Sequence, residues 1–179
     1  MKKITIRQMT LVSLFAALTA AGAFISIPIG IVPISLQNLF TFLSGMVLGS
    51  RLGAFSQLIY ILLGAVGLPV FSGFRGGLGI LVGPTGGFLI GFVISAYVIG
   101  KLIEKLKEAS IWSYFTVGLL GAFIIYLTGV IQLLIITRIG IKEAVLVGAI
   151  PFLPGDCLKV IIASFLALRL KSVVSLPEV

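Results

Sequence analysis

The chain has 179 residues, 59% of them hydrophobic and only 10% charged, with a mean hydropathy of +1.28. Soluble domains are roughly half apolar and a quarter charged, so this composition excludes a water-soluble globule. The net charge of +8 does not indicate nucleic acid, because the basic residues stand at the ends of apolar segments rather than clustered on one face.

A bilayer core about 30 Å thick takes about 20 apolar residues per helix, which gives about six spans and leaves no room for a separate soluble domain. Residues 8–27 form the first span. The apolar run is too long for a signal-peptide core and no convincing cleavage site follows it. Pro28 ends the helix, since the residue before a proline is pushed out of the helical region. Residues 28–34 are then a loop, apolar although it connects two spans. The stretch from 35 to 67 is too long for one span and is broken by Gly49-Ser50-Arg51, so it reads as a tight helical hairpin of spans 36–50 and 52–67 turning at Arg51. Residues 68–84 change to Pro, Gly and aromatics, a long irregular loop. The fourth span, 85–100, runs into an amphipathic charged connector. The fifth is 114–137 and the sixth 155–170, with a short surface helix expected in 139–153.

The positive-inside rule sets the orientation. With both termini cytoplasmic, Lys2, Lys3, Arg7, Arg51, Lys101, Lys105, Lys107, Arg169 and Lys171 lie inside, and Arg75, Arg138, Lys142 and Lys159 lie outside or in the outer half. All three Pro- or Gly-rich loops then fall on the outer side. Irregular backbone at a membrane is tolerated where protein or a water-lined cavity satisfies it, so these loops read as a lid over a pocket, or as ordinary connectors. The expected architecture is an all-α membrane protein, one domain over residues 1–179, with six transmembrane helices and long irregular outer loops forming a lid.

Zero histidines and a single cysteine, Cys157, remove the commonest metal ligand, the commonest general base and any internal disulfide. No catalytic residue and no metal site is expected. The glycine-rich run from Phe71 to Gly87 lacks the lysine of a phosphate-binding loop, so the chain should not bind or hydrolyse ATP itself. Asp156 and Lys159 are the most informative pair, because ionisable groups at membrane depth mark function or mutual pairing. Three apart in a first helical turn after Pro154-Gly155, they share a face where backbone N–H groups are free. They would form a ligand site or an internal ion pair anchoring the helix end. Gln37 and Asn38 open the second helix on the same side, where they would bond a polar ligand or cap a loop. Phe71, Phe74 and Tyr97 would supply a stacking wall or serve as packing and interface anchors. On the first helix, Ser13, Ala17 and Ala21, and also Ala16 and Ala20, recur at four-residue spacing. Such stripes allow close helix approach, within the bundle or to a partner.

Four segments carry a resemblance to a known family: Ile27-Pro28-Ile29-Gly30-Ile31-Val32-Pro33-Ile34-Ser35-Leu36-Gln37, Gly64-Ala65-Val66-Gly67-Leu68-Pro69-Val70-Phe71, Gly77-Leu78-Gly79 through Gly83-Pro84-Thr85-Gly86-Gly87, and Phe152-Leu153-Pro154-Gly155-Asp156. In this order and spacing the chain resembles the substrate-binding S components of energy-coupling factor (ECF) transporters, and within them the biotin-specific BioY family. The resemblance implies six helices, a biotin pocket under the outer loops that includes Asp156 and Lys159, and a small-residue motif on the first helix that meets a transmembrane coupling subunit carrying two ATP-binding subunits. The chain departs from the family in carrying Phe74-Arg75 where relatives often have small or polar residues.

Biotin presents two N–H donors and an acceptor on its ureido ring, an apolar thiophane ring and a carboxylate. It calls for an acceptor, donors, an apolar wall and a cation. The expected ligand residues are Asp156, Lys159, Gln37, Asn38, Phe71, Phe74, Gly77, Thr85 and Tyr97, with Ala16 and Ala20 docking the coupling subunit. Biotin is a ligand, and no cofactor is expected. The expected role is high-affinity biotin capture on the outer side of the cell membrane. The rivals are another vitamin on the same scaffold, an intramembrane enzyme, for which no nucleophile and base pair is visible, and a ligand-free assembly subunit.

Overall fold

The computed structural model describes residues 4–28, 30–106, 108 and 110–171. Lys2, Lys3 and Lys107, which enter the count of basic residues, and Ile29 of the first loop lie outside the described residues. Helix α1 (Ile6–Phe24) starts with a capping box. The Thr5 hydroxyl accepts from the Gln8 N–H at 3.3 Å, and the Gln8 side chain accepts from the Thr5 N–H at 2.9 Å. Two donors that the first turn leaves free are thereby satisfied. The helix stops short of the expected Ile27 because Ser26–Ile27 (β1) pairs antiparallel with Ile34–Ser35 (β2). Pro28 already biases Ile27 toward extended backbone. The first apolar loop is thus a small hairpin, with Gly30 at φ 76° in its turn.

Helix α2 (Gln37–Ala65) is folded back on itself at Gly49, whose φ of 80° and ψ of −176° belong to a region essentially reserved for glycine. The Thr41 hydroxyl donates to Gln57 Oε1 at 3.1 Å, although 16 residues of unbroken helix would separate them by about 24 Å. The arms 37–48 and 50–65 therefore run antiparallel. The reversal falls at Gly49, two residues before Arg51, because only glycine accepts that backbone and because Glu104 caps the arm that follows. The Glu104 carboxylate accepts from the Ser50 N–H at 2.7 Å and from its hydroxyl at 2.8 Å.

Residues 66–85 form the irregular loop, which contains a single helical turn, α3 (Leu78–Leu81). Helix α4 (Gly86–Ile103) extends into the charged connector, and α5 (Ile111–Thr137) begins three residues earlier than expected. Glycines let α4 approach its neighbours closely: a Cβ on Gly87 would lie 2.3 Å from the Thr128 carbonyl oxygen, and one on Gly100 would lie 2.2 Å from the Ser50 nitrogen. Without a hydrophobic drive between helices in lipid, such close packing holds a bundle together. A short helix α6 (Ile141–Gly148) and a 3-10 turn (Ile150–Phe152) occupy the segment where a short helix was expected. Helix α7 (Leu153–Lys171) takes Pro154 into its first turn, where a missing N–H costs nothing.

Among the described residues, five helical stretches are long and apolar enough to cross a membrane, α6 to α7 counting as one. With α2 reversing at Gly49, the chain passes six times between the two ends of the bundle. One end carries Phe24, Gln37, Ala65, Gly86 and Leu153, and the other Ile6, Gly49, Ile103, Ile111 and Lys171. Phe123, Leu127, Ile131 and Ile135 form an exposed apolar stripe on α5, the outward face a bilayer requires. Inside, Gln57 Nε2 donates to the Thr19 and Ser44 hydroxyls, each at 3.2 Å, tying α1 to both arms of α2.

Candidate functional site

Three helices converge on one carboxylate. Asp156, in the first turn of α7, accepts from Lys159 Nζ at 2.6 Å on Oδ1, and from the Tyr126 hydroxyl at 2.6 Å and Asn38 Nδ2 at 2.5 Å on Oδ2. Asp156 is 1% exposed and Lys159 6%. Taking two such ions out of water costs several kcal/mol each, and their attraction repays this only when further hydrogen bonds complete the shell. Here α2 and α5 supply those bonds. The same-face spacing read from the sequence is therefore realised as an ion pair, and Tyr126, on α5, is the partner that sequence reasoning missed. A hydroxyl within a long apolar helix was the available signal.

Beside this junction lies a cavity that encloses about 600 Å³ when the open solvent at its mouth is counted. Lys159, Asn38 and Tyr126 reach it, whereas Asp156 stands behind them. Its apolar wall is Phe71, Phe88, Leu89, Phe92 and Phe152. Phe71 is seated by Gly64: a Cβ there would lie 2.1 Å from the ring. Its ring also meets Tyr60 edge-on, at 5.6 Å between centroids. The Tyr60 hydroxyl in turn donates to the Val70 carbonyl at 3.2 Å and accepts from Gln37 Nε2. Gln37 Oε1 accepts from the Ser35 hydroxyl at 2.8 Å. The far side of the loop is held by Gln132 of α5, whose amide donates to the carbonyls of Leu81 and Gly83, both at 2.8 Å.

Of the residues expected at a ligand, Gln37, Asn38, Phe71, Thr85 and Lys159 line the cavity. Asp156, Phe74, Gly77 and Tyr97 do not, Asp156 standing behind the lining residues it binds. Phe74 points away from it and stacks on Phe24, with centroids 4.7 Å apart. Gly77 works through its backbone, donating to the Gly64 carbonyl at 2.7 Å with φ at 99°. Tyr97 is 12 residues beyond Thr85, about 18 Å further along α4, and 45% exposed on the outside of the bundle. A ring there cannot reach the wall.

The small-residue stripe also changes register. Ala16 is 2% exposed and packs in the core, and Ala20 is half-buried, whereas Ser13, Ala17 and Ala21 are exposed. The outward row of small residues on α1 is therefore Ser13, Ala17 and Ala21, not the row of Ala16 and Ala20 expected to dock a partner.

The sequence profile of the BioY family matches residues 1–176. The chain belongs to the BioY family. Similar proteins include the biotin transporter BioY of Thermotoga maritima, 48% identical over 165 residues that cover 92% of this chain and 96% of that one. The biotin transporter BioY of Rhodobacter capsulatus is 42% identical, covering 90% of this chain and 91% of its own. A crystal structure of the S component for biotin from an ECF-type ABC transporter superposes with a TM-score of 0.88 at 30% identity, covering 93% of this chain and 92% of that one. The family and the helical membrane fold expected from the residues are the ones observed. BioY proteins are transporters, and the cavity at one end of the bundle is the feature of this chain that suits capture of a small molecule.

Proposed function

We propose that this BioY-family chain is the biotin-binding S component of an ECF-type importer, lying in the cell membrane with both termini cytoplasmic. The observation that carries the reading is the Asp156 junction at the wall of the cavity. Lys159 has ammonium N–H groups to spare and Asn38 an amide oxygen, beside a wall of four phenylalanines. A ureido ring needs both a donor for its oxygen and acceptors for its N–H groups, and the apolar thiophane ring suits the phenylalanines. Asp156 contributes from behind the wall, as the acceptor that orients Lys159, Tyr126 and Asn38. Nothing in this arrangement requires covalent chemistry on the ligand.

Orientation is supported by charge. Six described basic residues, Arg7, Arg51, Lys101, Lys105, Arg169 and Lys171, lie at the end opposite the cavity, and four at the cavity end, so the cavity faces outward under the positive-inside rule. The exposed row Ser13, Ala17 and Ala21 suits close docking of a transmembrane coupling subunit that carries two ATP-binding subunits.

The test is to purify the chain in detergent, release bound small molecules with acid and identify them by mass spectrometry, then titrate the emptied protein with biotin by calorimetry. Biotin recovered and rebound supports the reading. A different vitamin overturns the ligand, and neither release nor binding heat overturns capture altogether.

A further inference from the structure

One wall of the cavity is set in place from behind. Phe88, in the first turn of α4, lines the cavity and is 8% exposed. Its ring lies against α5 at Gly129, where a Cβ would stand 2.3 Å from Cδ1 and 2.4 Å from Cε1. The tip of the ring reaches α6, with Cζ 3.5 Å from the place a Cβ on Gly148 would take. The ring thus sits in a notch that exists because residue 129 has no side chain. Gly129 lies inside α5 and has no left-handed φ, so no turn requires glycine there. A glycine within a helix is a net cost unless a close approach needs it.

The helices cannot separate to make more room without losing contacts on both sides of the ring. A Cβ on Gly87 would lie 2.3 Å from the Thr128 carbonyl oxygen, and one on Gly91 would lie 2.4 Å from the Thr128 hydroxyl oxygen and 2.9 Å from the Ile125 Cα. The backbone of α4 therefore touches α5 immediately before Phe88 and again one turn later, the packing that holds helices together in lipid. What yields to added bulk at residue 129 is the ring, and the open space beside it is the cavity.

From this arrangement we infer that Gly129 is a positioning residue for ligand selection: by leaving room behind Phe88 it sets the width of the cavity. The inference rests on the biotin-capture reading and deepens it, assigning the limit on ring thickness to a residue that does not itself line the cavity. A methyl group at residue 129 would meet ring carbons at 2.3 Å, where carbon atoms prefer about 3.5–4.0 Å, so the ring must retreat by more than about 1 Å. A bicyclic ligand loses its space before a thinner one does.

The test measures binding of biotin and of dethiobiotin, which lacks the sulfur and with it the second ring, by calorimetry on the full chain in detergent. In Gly129→Ala biotin affinity should fall about tenfold or more, the scale of overpacking. Dethiobiotin should lose several-fold less, so the ratio of the two affinities shifts toward it. Phe88→Leu gives the added methyl room: combined with Gly129→Ala, it should hold the ratio within about twofold of that in Phe88→Leu alone, a non-additivity expected of two residues in contact. Gly118→Ala controls for packing damage, since a Cβ there would press on Val160 at 2.5 Å, about 16 Å along α5 from Gly129. It should lower the melting temperature without moving the ratio. If Gly129→Ala fails to fold, Phe88→Trp reports the same quantity, because a larger ring backed by α5 and α6 extends into the cavity. An unchanged ratio in the folded variant, a shift that persists alongside Phe88→Leu, or an equal shift in Gly118→Ala overturns the inference and leaves capture intact. Absence of biotin binding by the unaltered protein overturns the capture reading, and this inference with it.

Discussion

Replacing Asp156 with Asn tests whether the ion pair serves the ligand or only the fold. The substitution keeps an oxygen for Tyr126 and Asn38 but turns an amide toward Lys159 and strands an ammonium that is 6% exposed. Removing one partner of a buried pair costs about 3–5 kcal/mol, and at about 2–4 °C per kcal/mol the melting temperature without ligand should fall by roughly 6–20 °C. Biotin affinity should fall as well, because the carboxylate that orients Lys159 and Asn38 is gone: losing the hydrogen bond that Lys159 makes to the ligand costs about 1.5–3 kcal/mol, or roughly 10- to 150-fold. Adding Lys159→Met removes the stranded charge, and the two sites are in contact, so their effects should not add. The double variant should recover most of the lost melting temperature while its affinity stays at least about tenfold below that of the unaltered protein. Calorimetry with biotin and melting curves on all four proteins complete the cycle. A double variant that regains both stability and affinity would refute the reasoning and leave the pair as an anchor between helices.

Two further outcomes follow from the register and the orientation of the bundle. Replacing Ala17 and Ala21 with Trp should abolish biotin uptake in cells while leaving binding by the purified protein within about twofold, because both residues are exposed and close helix approach needs small side chains; Ala16→Trp, at a position 2% exposed, should instead lower the melting temperature, and the reverse pattern would restore the Ala16 and Ala20 register. A cysteine placed at Arg51, beside the Gly49 reversal, should resist an impermeant thiol reagent in intact cells and react after permeabilisation, and labelling from outside would invert the topology.

Much of the bundle was legible because a bilayer imposes simple demands. An apolar run of span length must be helical, since lipid offers no partner to its backbone groups, and a charge inside such a run must be paired or functional. Asp156 and Lys159 could therefore be recognised as a pair before either was located. The reversal within α2 was readable from Gly49-Ser50-Arg51 as a break, but its position was not. That depended on a backbone conformation at φ 80° and on Glu104, 54 residues away from the serine it caps.

What the amino-acid order determined by itself is the set of properties that depend on near neighbours: membrane residence, the helices, the glycines that permit close packing, and the i, i+3 ion pair. What only the tertiary structure decided is which side chains share the cavity, since that depends on helix rotation and on chain reversal. Tyr126 joins Asp156 across 30 residues and Asn38 joins it across 118, separations over which no periodicity carries information. Tyr97 and Phe74 failed as wall residues for the same reason: an aromatic side chain in a membrane helix or loop has the same chemistry whichever way it faces, and the packing of the neighbouring elements determines that direction.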